Sequence, residues 1–263
     1  MQIAILREPE REPRVAATPE TVSKLVGFGA TVSVEKGAGE ASRILDRFYT
    51  DAGAKVEASA SAAVKGADVI LAVRRPEASA LAGAAKGALV LATADPFGNE
   101  AALAALAKAG LSVFAMELMP RITRAQVMDI LSSQANLAGY QAVIEASMVY
   151  DRALPMMMTA AGTVRAAKVF VMGAGVAGLQ AIATAKRLGG AVSATDVRAA
   201  AGEQVESLGA KFIMTEALKD ASGTGGYARE LTKDEQAAQA ELVSGHIAKQ
   251  DIVITTALIP GRP

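Results

Sequence analysis

A glycine-rich turn between two apolar segments constrains this chain more than any other feature of its sequence. The turn reads GAGVAG over residues 173–178 and directly follows an apolar run at 169–172. Glycines in this spacing let a strand turn sharply into a helix, let the backbone approach a pyrophosphate, and let the helix pack closely on the strand. The start of such a helix offers free backbone N–H groups to phosphates. The pattern predicts a dinucleotide site that includes Gly173, Ala174, Gly175, Val176 and Gly178.

An acidic residue after the next predicted strand indicates which dinucleotide binds there. Asp196 follows the strand predicted at 192–195, at the distance from the glycines that is typical of such sites. A carboxylate in this position accepts hydrogen bonds from both hydroxyls of the adenosine ribose and repels a 2′-phosphate. The sequence therefore predicts NAD, and not NADP, as the cofactor. The alternative is a tight turn that binds no ligand.

Short apolar runs alternate with longer helical stretches, which is typical of an α/β fold with mainly parallel sheets. A helix capped by Thr18, with Pro19 in its first turn, ends at Gly29, and another helix is predicted at 100–109. We expect two Rossmann-like domains, at 1–125 and 153–263, joined by a long helix at 126–152. The second has fewer predicted strands than a complete Rossmann sheet and looks truncated at its C-terminal end. The predicted strands are 2–6, 31–34, 68–73, 88–92, 112–115, 169–172, 192–195, 212–214 and 252–256.

Charge and composition exclude several classes of function. Lysine plus arginine number 27, as do aspartate plus glutamate, so the net charge is zero and weighs against non-specific nucleic-acid binding. The absence of cysteine excludes disulfides, thiolate metal sites and thiol nucleophiles. We expect the single histidine, His246, to be structural or solvated, and no spacing of acidic residues indicates a metal site. No signal peptide is evident, and the longest uncharged run, 169–185, is too short and too glycine-rich for a membrane helix, so we expect a soluble intracellular protein.

A second group of polar residues follows a break in the pattern at 119–122. Thr123 and Gln126 fit a capping box at the start of the long helix. Helical spacing places Gln126, Asp129 and Ser132 on one face, and Arg121 lies just before them. Each also has a non-functional explanation, because Gln126 could cap the helix, Asp129 could complement its dipole, and the other two could face water. Spacing alone leaves both explanations open.

Two further segments have an unusual composition. Residues 216–231 are glycine-rich and polar, and their length fits either a disordered surface loop or a mobile lid that lays Tyr227 against a cofactor. Three consecutive methionines stand at 156–158, and we expect them to pack in the core or a linker and not to form a site.

Several longer motifs together resemble the NAD(H)-binding component, domain I, of proton-translocating nicotinamide nucleotide transhydrogenase, which is related to alanine dehydrogenase. The resemblance covers essentially the whole chain. The motifs that carry it are RVA at 14–16, EKGAG at 35–39, PRITRAQ at 120–126, DILSSQAN at 129–136, GYA at 226–228 and ITTALIPG at 254–261.

The resemblance implies roles for individual residues. In this family the residues at the positions of Arg121, Gln126, Asp129 and Ser132 line the nicotinamide end of the NAD site. The glutamine is associated with hydride transfer, and the aspartate and serine help to hold the carboxamide. Further cofactor contacts are implied at Ile122, Thr123, Arg124, Ala174, Gly175, Val176, Asp196, Val197, Arg198, Gly226, Tyr227 and Leu258.

The resemblance also implies an activity and partners. The chain would bind NADH and pass a hydride to NADP on a separate NADP-binding domain, coupled through a membrane domain to proton movement. It would form a homodimer, and it would lie peripherally on the cytoplasmic face of the inner membrane through those partners. Domain I of this family normally continues past the position of Pro263, so we expect either a fragment or an unusually short chain.

Two other functions stay open at this point. One is an alanine-dehydrogenase-like amino-acid oxidoreductase, which the lack of any histidine in the first domain disfavours because such enzymes use one for acid–base work. The other is a non-catalytic NAD-binding module.

Overall fold

The computed structural model describes residues 1–120, 122–215 and 232–256. The chain forms two compact units, Met1–Ile130 and Leu131–Pro263. The predicted domain bounds, with the first domain ending at 125 and the second starting at 153, stay a prediction.

The first unit is built on one parallel sheet that the chain winds in two directions. In the described residues its strand order is β3-β2-β1-β4-β5-β6, so the chain moves outward from β1 on one side and then on the other. This is the order of a doubly wound α/β fold, with the reversal between β1 and β4. The strands are β1 Gln2–Ile5, β2 Thr31–Glu35, β3 Lys55–Glu57, β4 Val69–Arg74, β5 Leu89–Thr93 and β6 Ser112–Ala115.

Both faces of this sheet are buried, because alternate residues of β1 belong to different core clusters. Ile3 and Ile5 pack on one side, and Ala4 packs on the other. The first side also buries Tyr49 completely, and its hydroxyl donates a hydrogen bond to the Ala17 carbonyl at 2.9 Å. Burial, together with the nearby Asp46, raises the pKa of Tyr49 to about 12. The covering helices are α1 Pro19–Gly27, α2 Asp46–Asp51, α3 Ala60–Ala63 and α4 Glu100–Lys108.

The second unit contains a smaller parallel sheet with the same winding. Its order in the described residues is β11-β10-β9-β12, and a separate antiparallel hairpin is formed by β7 and β8. The strands are β7 Met157–Thr159, β8 Gly162–Val164, β9 Lys168–Met172, β10 Ala191–Thr195, β11 Lys211–Phe212 and β12 Ile252–Thr255. The helices are α5 Ile130–Val149, α6 Val176–Arg187, α7 Ala201–Ser207 and α8 Lys233–Ile247. Two Rossmann-like parallel sheets confirm the predicted fold class.

The start of the long helix was predicted incorrectly. Residues Thr123–Met128 form a 3-10 helix whose N-cap is Ile122 and which has no side-chain cap, so the capping box predicted at Thr123 and Gln126 is wrong. Asp129 then has ψ of 93°, an extended conformation that interrupts the helical path, and α5 begins at Ile130. A true capping box lies elsewhere, where Thr232 and Glu235 each accept a hydrogen bond from the other's backbone N–H.

Two smaller expectations have different outcomes. The methionines at 156–158 are exposed at the hairpin, by 61%, 45% and 72%, so the expectation that they pack in the core is wrong. His246 is half-buried, its Nε2 lies 2.8 Å from the Ser193 hydroxyl, and its ring meets the Phe170 ring edge-on, which confirms a structural role.

Among the described residues, no helix has the length and apolar character to cross a bilayer.

The close packing of α5 on α6 predicts an unusual response to a glycine substitution. A Cβ atom at Gly139 would lie 2.0 Å from the Ala177 carbonyl oxygen, whereas one at Gly245 in α8 would meet nothing within 4 Å. Glycine-to-alanine changes inside helices normally stabilise by up to ~1 kcal/mol. We expect Gly245→Ala to raise the free energy of unfolding by that amount in urea titrations. We expect Gly139→Ala to lower it by about 1–3 kcal/mol through overpacking. An increase for Gly139→Ala would contradict the described packing.

Candidate functional site

The glycine-rich turn leads from β9 into α6 with the roles that its spacing predicts. Gly173 has φ of 101°, a backbone conformation that favours glycine. A Cβ atom at Gly178 would lie 1.8 Å from the Gly173 carbonyl oxygen, so only glycine permits this close approach. A Cβ atom at Gly175 would meet nothing within 4 Å, which leaves open space above the turn. The turn therefore packs tightly against the start of α6 at Gly178, and it is accessible from outside at Gly175.

The first turn of α6 presents backbone donors to that open space. Gly175 is the N-cap and provides no side-chain cap, and Val176 begins the helix. The first N–H groups of any α-helix lack acceptors within the helix, and the helix dipole adds partial positive charge there. The exposed Val176 marks the accessible side of this helix end. The arrangement fits the pyrophosphate of a dinucleotide.

Asp196 connects the end of β10 to the glycine-rich turn. Its Oδ2 accepts a hydrogen bond from the Ala174 N–H at 2.7 Å, and its Oδ1 accepts one from the Arg198 N–H at 2.8 Å. The Arg198 guanidinium donates to both carboxylate oxygens, at 2.9 and 3.0 Å. Only 7% of the Asp196 side chain is exposed. The carboxylate predicted from the spacing thus stands at the carboxyl end of the sheet, beside the turn.

The charge on this carboxylate is stabilised by its partners. Burial of Asp196 raises its pKa, but the hydrogen bonds from Arg198 and Ala174 outweigh burial, so the pKa lies below its ordinary value. The same contact raises the pKa of Arg198. Asp196 is therefore ionised at neutral pH, and an arginine is held next to it.

Thr256 contributes to the site, although the sequence predicts it only as the end of a strand and as part of the ITTALIPG motif. It directly follows β12, and its hydroxyl donates a hydrogen bond to the Gly173 carbonyl at 3.0 Å. The same side chain would be 3.0 Å from a Cβ atom at Gly178. Thr256 thereby fixes the turn from the side opposite Asp196. Its position at the carboxyl end of a predicted strand was the available signal.

The residues predicted at the nicotinamide end are only partly described. Ile122, Thr123, Arg124 and Gln126 are exposed on the 3-10 helix of the first unit, and Asp129 follows it half-buried. Ser132 is half-buried in α5 and belongs to the second unit. Helical spacing does not relate these residues as predicted, because Gln126 and Asp129 precede α5. Arg121, Gly226, Tyr227 and Leu258 lie outside the described residues.

The residues that are described fit a dinucleotide. Gly173, Ala174, Gly175, Val176 and Gly178 form one turn at the carboxyl edge of the second sheet, and Asp196, Val197 and Arg198 lie next to it. Val197 is 48% exposed, so an apolar side chain is available beside the carboxylate. The pyrophosphate of a dinucleotide requires open space beside helix N–H donors, and its ribose requires a carboxylate that accepts hydrogen bonds.

Comparison with known families gives a separate match for each half of the chain. The alanine dehydrogenase/PNT N-terminal domain matches residues 4–138, and the alanine dehydrogenase/PNT C-terminal domain matches residues 142–263. An NAD(P) transhydrogenase alpha subunit of Rhodospirillum rubrum is 53% identical over an alignment of 271 residues, which covers 100% of this chain and 71% of that protein.

Solved structures agree with the family. The transhydrogenase of Sinorhizobium meliloti is 62% identical with a TM-score of 0.89, and the match covers 100% of this chain and 71% of that one. An L-alanine dehydrogenase shares the fold at 23% identity, with a TM-score of 0.79 over 100% of this chain and 67% of that one. The chain therefore belongs to the alanine dehydrogenase/PNT family, and over its whole length it is similar to the alpha subunits of NAD(P) transhydrogenases.

Proposed function

We propose that this chain is the NAD(H)-binding component of a proton-translocating transhydrogenase and passes a hydride between NADH and an NADP held by a partner domain. The observation that carries the proposal is the glycine-rich turn hydrogen-bonded to the buried Asp196 carboxylate. The similarity to transhydrogenase alpha subunits supports it.

The second unit would hold the adenosine and pyrophosphate parts of the cofactor. Gly175 and Val176, at the start of α6, would bind the pyrophosphate through their N–H groups, and Ala174 would line the turn beside it while its own N–H stays bonded to Asp196. The Asp196 carboxylate would accept hydrogen bonds from the ribose hydroxyls. Because the donors of Arg198 and Ala174 already reach both of its oxygens, we propose that the ribose replaces the Arg198 guanidinium there.

The segment from Arg121 to Ser132 would order the nicotinamide end. NADH supplies the hydride, and direct transfer between two nicotinamides requires near-contact distance, so the task of the protein is positioning. Gln126 is exposed and does not cap the 3-10 helix, so its side chain is available for this role. Asp129 and Ser132 would hold the carboxamide.

The chain would work within a larger assembly. We propose a homodimer that docks on an NADP-binding domain and a membrane proton-channel domain, peripherally on the cytoplasmic face of the inner membrane. The hairpin supports association because Met156, Met157, Met158 and Val164 are large apolar side chains exposed close together in sequence. Zero net charge supports protein partners over nucleic acid.

The Asp196 assignment predicts cofactor selectivity. We expect NADH to bind at least about tenfold more tightly than NADPH, a difference of ~1.4 kcal/mol that an unfavourable carboxylate–phosphate contact supplies. Asp196→Asn should bring the ratio of the two dissociation constants towards one, because it removes the negative charge and releases Arg198. Isothermal titration calorimetry with both nucleotides measures this ratio.

Asp251 offers a matched control for that experiment. It also bonds to a backbone N–H, of Lys168 at 2.8 Å, and to an arginine, Arg165 at 3.2 Å, but it lies at the amino end of β9. Asp251→Asn should leave the selectivity unchanged. Equal binding of the two nucleotides by the unmodified chain, or an unchanged ratio in Asp196→Asn, would overturn the assignment.

The Gln126 assignment predicts a defect in chemistry without a defect in binding. We expect Gln126→Asn to slow hydride transfer to an NADP analogue on an added NADP-binding partner domain by about tenfold or more. The NADH dissociation constant should change little, because the turn and Asp196 would make most of the contacts with the cofactor. A loss confined to the chemical step marks an interaction used in the transition state.

Gln141→Asn makes the same glutamine-to-asparagine change outside the proposed site, and it therefore serves as the control for Gln126→Asn. Gln141 is an exposed glutamine in α5 that hydrogen-bonds to Glu145 at 3.0 Å, so the change should leave the transfer rate as it was. Stopped-flow absorbance gives the rate for both variants. An unchanged rate in a folded Gln126→Asn protein would remove Gln126 from the site.

A further inference from the structure

Polar side chains attach helix α8 to the second sheet. None of the fifteen residues of α8 is buried, although a helix that covers a sheet ordinarily buries an apolar stripe. The Gln239 amide donates a hydrogen bond to the Thr195 hydroxyl at 3.1 Å, and two helical turns further on His246 Nε2 lies 2.8 Å from the Ser193 hydroxyl. Both hydroxyls are buried on the same face of β10. The attachment of α8 to β10 therefore depends on hydrogen bonds.

The neutral His246 ring accepts hydrogen bonds at Nε2. The Gln250 amide nitrogen lies 3.2 Å from Nε2 and also donates to the His246 carbonyl at 3.1 Å, which fixes the orientation of that amide. Because an amide nitrogen only donates, Nε2 is the acceptor, and the Ser193 hydroxyl donates to it as well. A proton on Nε2 would point at the Gln250 N–H group and would remove the acceptor for both partners.

The charges around His246 oppose a positive charge on the ring. Lys168 begins β9, Lys211 begins β11 and Lys249 follows α8. Burial lowers the pKa of His246, and the positive charges of these three lysines lower it further. Asp251 precedes β12, but its carboxylate already accepts from the Lys168 N–H and forms an ion pair with an arginine. The surroundings of the ring therefore favour its neutral form.

The strand to which α8 is attached is the one that leads to Asp196. The Thr195 hydroxyl accepts from Gln239, and the Thr195 carbonyl accepts from the Gly173 N–H at 2.8 Å. Asp196 follows directly and accepts from the Ala174 N–H. The end of β10 thus joins α8 to the glycine-rich turn, so a change in the attachment of α8 reaches the turn through Thr195.

We propose that His246 is a positioning residue for the NAD site, which in its neutral form holds α8 on β10 and which releases α8 when it takes up a proton. The proposal rests on the proposed function, because the strand end that would lose its support is the one beside Asp196. Protonation adds a fourth positive charge beside the three lysines and removes the acceptor at Nε2.

The direction of the pH effect follows from the pKa of His246. This pKa is lowered when α8 is attached, so the attached form binds fewer protons than the released form. The attached form is therefore stable above the ordinary pKa of histidine, about 6.5, and loses stability as the pH falls below it. Asp196 has a pKa below its ordinary value and stays ionised over this range.

NMR spectroscopy of the unmodified chain tests the attachment of α8. His246 is the single histidine, so its ring signals report its pKa directly. We expect a pKa below the ordinary value. We also expect the amides from Gln239 to Ile247 to lose protection against hydrogen exchange as the ring is protonated, after correction for the intrinsic effect of pH. A ring pKa at or above the ordinary value, or protection that does not follow the protonation of the ring, would overturn the proposal.

Calorimetric titrations with ADP-ribose test the connection to the NAD site. We expect ADP-ribose to bind about three- to tenfold more weakly at about pH 5.5 than at about pH 8. His246→Gln keeps an acceptor but takes up no proton in this range, so its affinity should not depend on pH. Lys211→Gln should reduce the pH dependence, because it removes one of the charges that oppose protonation.

Lys233→Gln is the matched control, because it removes a positive charge at the opposite end of α8 and should leave the pH dependence as it was. If His246→Gln fails to fold, Lys211→Gln gives the same readout. An affinity of the unmodified chain that is equal at both pH values, or an unchanged pH dependence in a folded His246→Gln protein, would overturn the proposal. Loss of α8 protection in acid by a chain that binds no ADP-ribose at about pH 8 would contradict the proposed NAD site and confirm the attachment through His246.

Discussion

The hydrogen bond from the Ala174 N–H to the Asp196 carboxylate is the interaction on which the candidate site depends. At 2.7 Å it joins the turn after β9 to the end of β10, and Arg198 fixes the same carboxylate from the other side. Because Thr256 holds the Gly173 carbonyl as well, the turn is fixed by the strands on both sides of β9. The start of α6 is therefore preorganised, and open space remains above Gly175.

In both sheets a carboxylate accepts hydrogen bonds from backbone N–H groups near the carboxyl ends of the strands. In the second unit the Asp196 carboxylate accepts from one N–H of the turn, that of Ala174. Open space at Gly175 leaves room for a ligand's phosphates beside the N–H groups that follow. In the first unit Glu8 takes both N–H groups at the end of β4, and the neighbouring guanidinium groups are paired with Glu12. Two sheets with similar winding thus differ at their carboxyl edges, because open space remains above Gly175 in the second and Glu8 binds the two N–H groups in the first.

The sequence predicted features that local residues determine. The cap at Thr18, strand β6 and the GAGVAG turn are examples, since glycine conformation and capping depend on a few adjacent residues. Strand β3 was missed because three residues with charged ends carry no apolar pattern. The capping box predicted at Thr123 is wrong because residues 123–128 form a separate 3-10 helix, which the extended Asp129 divides from α5. The pairings of Asp196 and Glu8 with backbone N–H groups could not be predicted because they depend on tertiary structure.

The most direct test of the account is an amide NMR titration of the chain with NADH. Binding at the glycine-rich turn predicts that the largest shifts occur at Ala174, Gly175 and Val176, with further shifts at Asp196 and Arg198 as the ribose replaces the guanidinium. ADP-ribose, which has the pyrophosphate and ribose but no nicotinamide, should shift the same signals. Signals at the turn and at Asp196 that stay unchanged at saturating NADH would contradict the account.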